Sequence, residues 1–271
     1  MARITVEDLK ARKVAKGATP IVSLTAYTQP MAKFLDPHCD FLLVGDSLAM
    51  VIYGLETTRG VTIEIMCAHG RAVTRGAKQS LVVVDLPQGT YEDSTRQAVA
   101  SAQRVIEETE AQAVKLEGGV EMADTVAAIV ASGVPVLGHI GLLPQKAEHR
   151  GAFKIQGRGD EGARKVMADA KAIDEAGAFA MVVEGTVEPV ARDLTEQVSI
   201  PTIGIGASSA CDGQILVSDD MLGMFADFTP KFVKKYAQVG GDIERAVKAY
   251  AQDVRSGAFP GLEHCYGVEK K

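Results

Sequence analysis

Eight short runs rich in Val, Ile and Leu recur along the 271-residue chain, each but the seventh followed by a longer, more charged stretch. They are PIVSLTAY (20–27), DFLLVGDS (40–47), SLVVVDLP (80–87), AVKLEGG (113–119), VPVLGHIG (134–141), FAMVVEGT (179–186), IPTIGIGAS (200–208) and QILVSDD (214–220). Nearly continuous hydrophobicity in runs this short is what a parallel strand needs when both of its faces are covered. The stretches between them read as helices. Residues 91–110 open on acidic side chains and continue with apolar positions at helical spacing. Residues 120–133 and 159–178 run toward a glycine before the next strand, and 240–256 make a last helix.

Eight βα units in this length match a (β/α)8 barrel, for which about 250 residues is typical. A doubly wound open sheet uses the same alternation. The count of eight, and the lack of a GxGxxG turn after the first strand, favour the barrel. With no linker, low-complexity tract or break in composition, residues 1–271 are expected to form a single (β/α)8 barrel domain with a short N-terminal helix and a C-terminal extension.

Bulk properties exclude several function classes. A net charge of −6 and a pI near 5.5 point away from nucleic acid and anionic membranes as partners. The absence of Trp and an aromatic share of 5% argue against a base-stacking surface. No apolar run approaches the roughly 20 residues of a membrane helix, and MARITVEDLKARK lacks the apolar region of a signal peptide. Cys39, Cys67, Cys211 and Cys265 are scattered without a CxxC pair, which suits a reducing cytoplasm better than a disulfide scaffold or a zinc site.

Barrel chemistry gathers at the C-terminal ends of strands, where the βα loops share one mouth. The second run ends in Gly45-Asp46-Ser47, the third in Asp85, and the fourth carries Lys115 and Glu117. The fifth ends near His139, the sixth in Glu184, the seventh in a glycine-rich turn, and the eighth in Asp219-Asp220. Asp46 or Asp85 alone is explained by helix capping. Two close carboxylates repel unless a cation joins them, and hard oxygen ligands suit Mg²⁺. Asp46, Asp85 and Glu117 could build such a site directly or through water.

Other positions stay open on spacing alone. Lys115 and Glu117, two residues apart on a strand, face the same way. Lys115 is either a counter-ion to Glu117 or a group that holds a substrate carboxylate or an enolate. Glu184 is either one half of an inward ion pair or, held in a partly dry site, a general base. His139 is structural or functional with equal weight. GIGAS (204–208) is either a phosphate cradle or simply a sharp turn.

These residues lie in stretches that resemble the ketopantoate hydroxymethyltransferase family over nearly the whole chain. The stretches are VGDSLAMVIYG (44–54), VVVDLPQGTY (82–91), AVKLEGG, LGHIGLLPQ (137–145), FKIQGR (153–158), MVVEGT (181–186) and IPTIGIGASSACDGQILV (200–217). Gln88, Leu143 and Ser208 stand where the family often has an aromatic residue, Thr and Gly. The resemblance implies a barrel of the phosphoenolpyruvate/pyruvate type, with Asp46, Asp85 and Glu117 at a Mg²⁺ site. It implies that Asp46, Ser47, Asp85 and Lys115 meet an oxoacid and that Glu184 accepts a proton; His139 is a further candidate for the oxoacid site. The implied reaction moves a hydroxymethyl group from 5,10-methylenetetrahydrofolate to 3-methyl-2-oxobutanoate, giving 2-dehydropantoate on the route to pantothenate. Cytoplasmic homo-oligomers, commonly decamers, are implied as well. The competing expectations are a Mg²⁺-dependent oxoacid C–C lyase or mutase, whose relatives often carry a reactive loop cysteine, and a non-catalytic barrel holding a phosphorylated ligand through GIGASS.

Overall fold

The computed structural model describes residues 3–13, 17–225 and 229–267; the ends of the expected single domain, 1–2 and 268–271, lie outside the described residues. Two compact units are present, Met1–Val217 and Ser218–Lys271.

In the first unit eight parallel strands close into a barrel in the order β1 to β8. They are β1 Ile21–Thr25, β2 Phe41–Val44, β3 Leu81–Asp85, β4 Ala113–Glu117, β5 Val136–Gly141, β6 Ala180–Glu184, β7 Thr202–Ile205 and β8 Gly213–Leu216. Pairing of β1 with β8 closes the ring. The helices of this unit are α1 Val6–Lys10, α2 Gln29–Leu35, α3 Leu48–Val51, α4 Ile63–Gly76, α5 Thr95–Thr109, α6 Ala123–Ala131, α7 Gly159–Glu175 and α8 Glu188–Gln197. Thr28, Thr62 and Ser94 cap α2, α4 and α5 by accepting the backbone N–H three residues on. The cap at Ser94 explains why α5 begins later than periodicity suggests: residues 91–93 belong to the loop, and Tyr91 is buried there.

Strand alternation sorts the apolar residues into two cores. Phe41, Leu43, Leu81, Val83, Leu137, Val182, Ile203 and Ile215 fill the barrel interior. Leu42, Val44, Val82, Val84, Val114, Leu116, Ile140 and Val183 face outward and pack with helix residues such as Met66, Val105, Ile129 and Ile173. Leu9 of α1 joins the interior core, so the expected short N-terminal helix contributes to barrel packing. Nearby, the buried Lys13 ammonium donates to Asp212 at 2.9 Å and to the Thr195 carbonyl at 2.6 Å.

The second unit contains α9 Ser218–Leu222 and α10 Val239–Ser256, the latter ended by Gly257 in the left-handed region at φ +75°. Asp219 and Asp220 therefore open a helix and do not end a strand, because β8 stops at Leu216. Acidic residues at a helix start are favoured by the dipole. Ile243, Val247, Tyr250 and Val254 recur at intervals of three and four along α10, and no residue of α10 is buried. Among the described residues no helix is long and apolar enough to cross a membrane.

Candidate active site

Period-two alternation carries five charged side chains inward at consecutive strand ends. Counting on from interior Val83, Ala113, Leu137 and Val182 in steps of two reaches Asp85, Lys115 and Glu117, His139, and Glu184. Register aligns them: Asp85 pairs with Lys115 across β3 and β4, Glu117 with His139 across β4 and β5, and Gly141 with Glu184 across β5 and β6. Asp46 and Ser47 lie just past β2, where the backbone N–H of Asp46 donates to Asp85 Oδ2 at 3.0 Å. All six expected acidic, basic and imidazole positions of strands two to six are thus in one connected group.

Gly141 makes the β5–β6 junction possible. Its φ is +89°, and a Cβ there would stand 2.3 Å from the Glu184 carbonyl oxygen and 2.5 Å from Thr186 Oγ1. Only glycine satisfies both the backbone conformation and the close approach.

Lys115 answers the question its spacing leaves open. The buried ammonium donates to Asp85 Oδ1 at 2.5 Å, a partner on the next strand. Burial alone would lower its pKa, but the charges of Asp85, Asp46 and Glu117 more than offset this and hold it above the ordinary lysine value. Lys115 is a firmly protonated cation.

Asp46 is the opposite case. Burial, reinforced by the charges of Asp85 and Glu117, pushes its carboxyl up to about 8 against the pull of Lys115 and Gln145. His139 lies between two carboxylates, with Nδ1 3.4 Å from Glu117 Oε1 and Nε2 3.1 Å from Glu184 Oε2. Neither ring nitrogen makes a hydrogen bond of acceptable angle. Burial and Lys115 lower the imidazole pKa, yet the flanking carboxylates prevail and raise it to about 9. The cause is their charge, since the hydrogen-bond angles are poor. Glu184 is the accessible member, its side chain 21% exposed while Asp85, Lys115, Glu117 and His139 are buried.

Among the described residues no three His, Cys, Asp or Glu side chains stand at ready-made metal-ligand spacing. The site nonetheless has the marks of a divalent-cation position. Four carboxyl groups, those of Asp46, Asp85, Glu117 and Glu184, share the mouth with only two basic side chains, Lys115 and His139. Glu117 Oε1 is buried without a hydrogen bond. A Mg²⁺ taking one or two carboxylates and completing its shell with water and substrate oxygens fits such a donor set.

Three further residues join this group: Tyr27 closes the first apolar run, and Tyr91 and Gln145 close two of the stretches that carry the family resemblance, yet no charge at a strand end singles them out. Tyr27, just beyond β1, shares a 2.8 Å hydrogen bond with Ser47 Oγ. Gln145 and Tyr91, in the loops after β5 and β3, are buried and bonded to each other, the hydroxyl of Tyr91 donating to Gln145 Oε1 at 2.5 Å. Burial and the Glu117 charge hold Tyr91 well above the ordinary phenol value, so it stays a donor. A loop residue has no periodicity; only burial of a polar side chain marks it.

The glycine-rich turn after β7 is occupied by its own contacts. Ser208 donates to Glu188 Oε1 at 2.9 Å, and Gln214 Nε2 donates to the Ser208 carbonyl. A carboxylate at this turn opposes the phosphate-cradle expectation. Gln88 accepts from Arg59 Nε at 2.7 Å, tying the loops after β2 and β3. Cys39, Cys67 and Cys211 are buried and stand at none of the C-terminal strand ends that build the site. Burial pushes the Cys39 and Cys67 thiols up to about 11 and raises Cys211, the reverse of a reactive thiolate.

Comparison with known proteins agrees with this geometry. The family model for ketopantoate hydroxymethyltransferase matches residues 3–262. A 3-methyl-2-oxobutanoate hydroxymethyltransferase of Rhodospirillum rubrum is 59% identical over 99% of this chain and 96% of its own length. One of Agrobacterium fabrum is 60% identical over 99% and 95%. Among solved structures, 2,3-dimethylmalate lyase, of the PEP mutase/isocitrate lyase superfamily, aligns with a TM-score of 0.61 at 15% identity over 98% of this chain and 90% of its own. Phosphonopyruvate hydrolase, in a complex with oxalate and Mg²⁺, aligns at 0.62 and 12% identity over 100% and 92%. At such identities those two share the barrel fold alone. The matched span and the near-full-length identity establish that the chain is an enzyme belonging to the ketopantoate hydroxymethyltransferase family.

Proposed function

We propose that this chain transfers a hydroxymethyl group from 5,10-methylenetetrahydrofolate to 3-methyl-2-oxobutanoate, giving 2-dehydropantoate, with Mg²⁺ as its metal. The observation that carries the reading is the inward convergence of Asp46, Asp85, Lys115, Glu117, His139 and Glu184 at the ends of β2 to β6. Relatives near 60% identity bear the name of that transferase.

Asp46 and Asp85 would hold the metal, with Glu117 joining directly or through water. When bound, Mg²⁺ supplies a Lewis acid that polarises the keto group and makes the neighbouring C3–H more acidic. The partly exposed Glu184 carboxylate removes the C3 proton. The C–H electron pair becomes the C2=C3 bond, and negative charge moves to the keto oxygen. Lys115 offers a fixed positive charge to the substrate carboxylate or to that oxyanion. Asp46, Ser47, Asp85 and His139 complete the oxoacid pocket, and His139 keeps a protonated ring beside Glu184 before the substrate binds. Water hydrolyses the two C–N bonds that hold the one-carbon unit, N5 and N10 take one proton each, and tetrahydrofolate departs; C3 of the enolate adds to the freed formaldehyde carbon, whose C=O pair becomes the hydroxyl oxygen and takes the proton held by Glu184.

The lyase or mutase alternative lacks support in Cys39, Cys67 and Cys211, which are buried and held as thiols. A cytoplasmic homo-oligomer, a decamer by family resemblance, accompanies the proposal; the apolar row on α10 favours association between copies. The test is incubation with the oxoacid, methylenetetrahydrofolate and Mg²⁺, followed by mass spectrometry for 2-dehydropantoate. Its absence with folded protein rejects the reading.

A further inference from the structure

Gln145 lies in the turn Pro144–Lys146 that follows β5, yet its bonds reach the ends of three other strands. Its backbone N–H donates to Glu117 Oε2 at 3.1 Å. Its Nε2 donates to Asp46 Oδ2 at 2.8 Å and to the Leu86 carbonyl at 3.0 Å. Its Oε1 accepts from Tyr91 at 2.5 Å. The carboxamide can face only one way. Turned over, its oxygen would confront the Leu86 carbonyl, two acceptors with no proton between them. Tyr91 enforces the same choice, and its hydroxyl is steadied in turn by the Glu117 backbone N–H at 3.3 Å.

One buried side chain thus holds Oδ2 of Asp46 while its own backbone holds Oε2 of Glu117. The second oxygen of Glu117, Oε1, is left buried with no hydrogen bond. We propose that Gln145, locked by Tyr91, is the positioning residue that sets the Asp46 and Glu117 carboxylates for a divalent cation. It bonds one oxygen of each and leaves the other to the metal or its water. This rests on the reading of Asp46, Asp85 and Glu117 as the metal carboxylates. Gln145 touches neither the oxoacid nor the reacting atoms; it acts through the two carboxylates. Partners that orient metal ligands typically change metal affinity or activity about 10–100-fold when removed.

The test is calorimetric titration of Mg²⁺ into the metal-free wild type, Gln145→Ala and Tyr91→Phe, with kcat followed against Mg²⁺ concentration. Gln145→Ala is expected to weaken Mg²⁺ binding about 10–100-fold, while kcat returns toward wild type at saturating Mg²⁺. Tyr91→Phe, which loses one hydroxyl, shifts affinity the same way by less. Wild-type Mg²⁺ affinity in a folded Gln145→Ala overturns this inference and leaves the metal reading standing. If Gln145→Ala does not fold, unchanged affinity in Tyr91→Phe overturns it equally. A wild type that binds no Mg²⁺ removes the metal reading, and this inference with it.

Discussion

Lys115 and Asp85 are register partners on β4 and β3, and their side chains meet at 2.5 Å in the buried mouth of the barrel. The same Asp85 accepts the Asp46 backbone N–H through its other oxygen. One lysine therefore compensates the carboxylate that also anchors the end of β2, and the charge balance of the site runs through this pair. Removing one member of a buried ion pair costs about 3–5 kcal/mol because the survivor is left uncompensated, whereas removing both costs much less.

Lys115→Met is therefore expected to destabilise the metal-free protein by about 3–5 kcal/mol at neutral pH. The double variant Lys115→Met/Asp85→Asn recovers a large part of that loss in urea unfolding. Strict additivity of the two single variants contradicts the pairing.

The imidazole of His139 gives the pH dependence a definite sign. Its pKa in the folded state is raised from the ordinary 6.5 to about 9 by Glu117 and Glu184, which outweigh burial and Lys115. A raised value means the folded state holds the proton more tightly. The contribution is fully present below pH 6.5 and is lost as pH rises toward 9. Metal-free wild type should lose stability across that window, while His139→Gln shows a flatter profile. Parallel profiles would remove His139 as the source.

At Gly141 the strain is steric and local. Gly141→Ala places a Cβ against the Glu184 carbonyl at a residue with φ +89°. The expected result is a destabilisation of about 1–3 kcal/mol together with reduced kcat from displacement of Glu184. Thermal melts and steady-state kinetics check both, and an alanine variant with wild-type values for each contradicts the assigned junction.

Metal dependence follows from the excess of carboxylates around Asp46. Exhaustive chelation should abolish transfer, and added Mg²⁺ should restore it. A metal-free preparation with full activity would falsify the placement of Asp46, Asp85 and Glu117 at a metal.

Much of this site is legible in the sequence because alternation is a strict rule. Asp85, Lys115, Glu117, His139 and Glu184 all follow interior apolar residues at steps of two. What alternation cannot supply is the partner across the barrel. Lys115 and Glu117 share a face as expected, yet register between strands hands Lys115 to Asp85 and sets Glu117 opposite His139. Gln145, Tyr91 and Tyr27 escape for a different reason, since loop residues follow no period and their role arises from tertiary burial. Asp219 and Asp220 mislead because they adjoin an apolar run whose strand ends three residues earlier, at Leu216, and they then start a helix.

On the proposed route everything downstream depends on proton removal from the oxoacid by Glu184. Its most direct measurement is deuterium exchange at C3 of 3-methyl-2-oxobutanoate in D₂O with Mg²⁺, in the wild type and in Glu184→Gln, with and without folate. Exchange is expected in the wild type and is lost in a Glu184→Gln protein that still binds the oxoacid. Exchange at the wild-type rate in Glu184→Gln would contradict it.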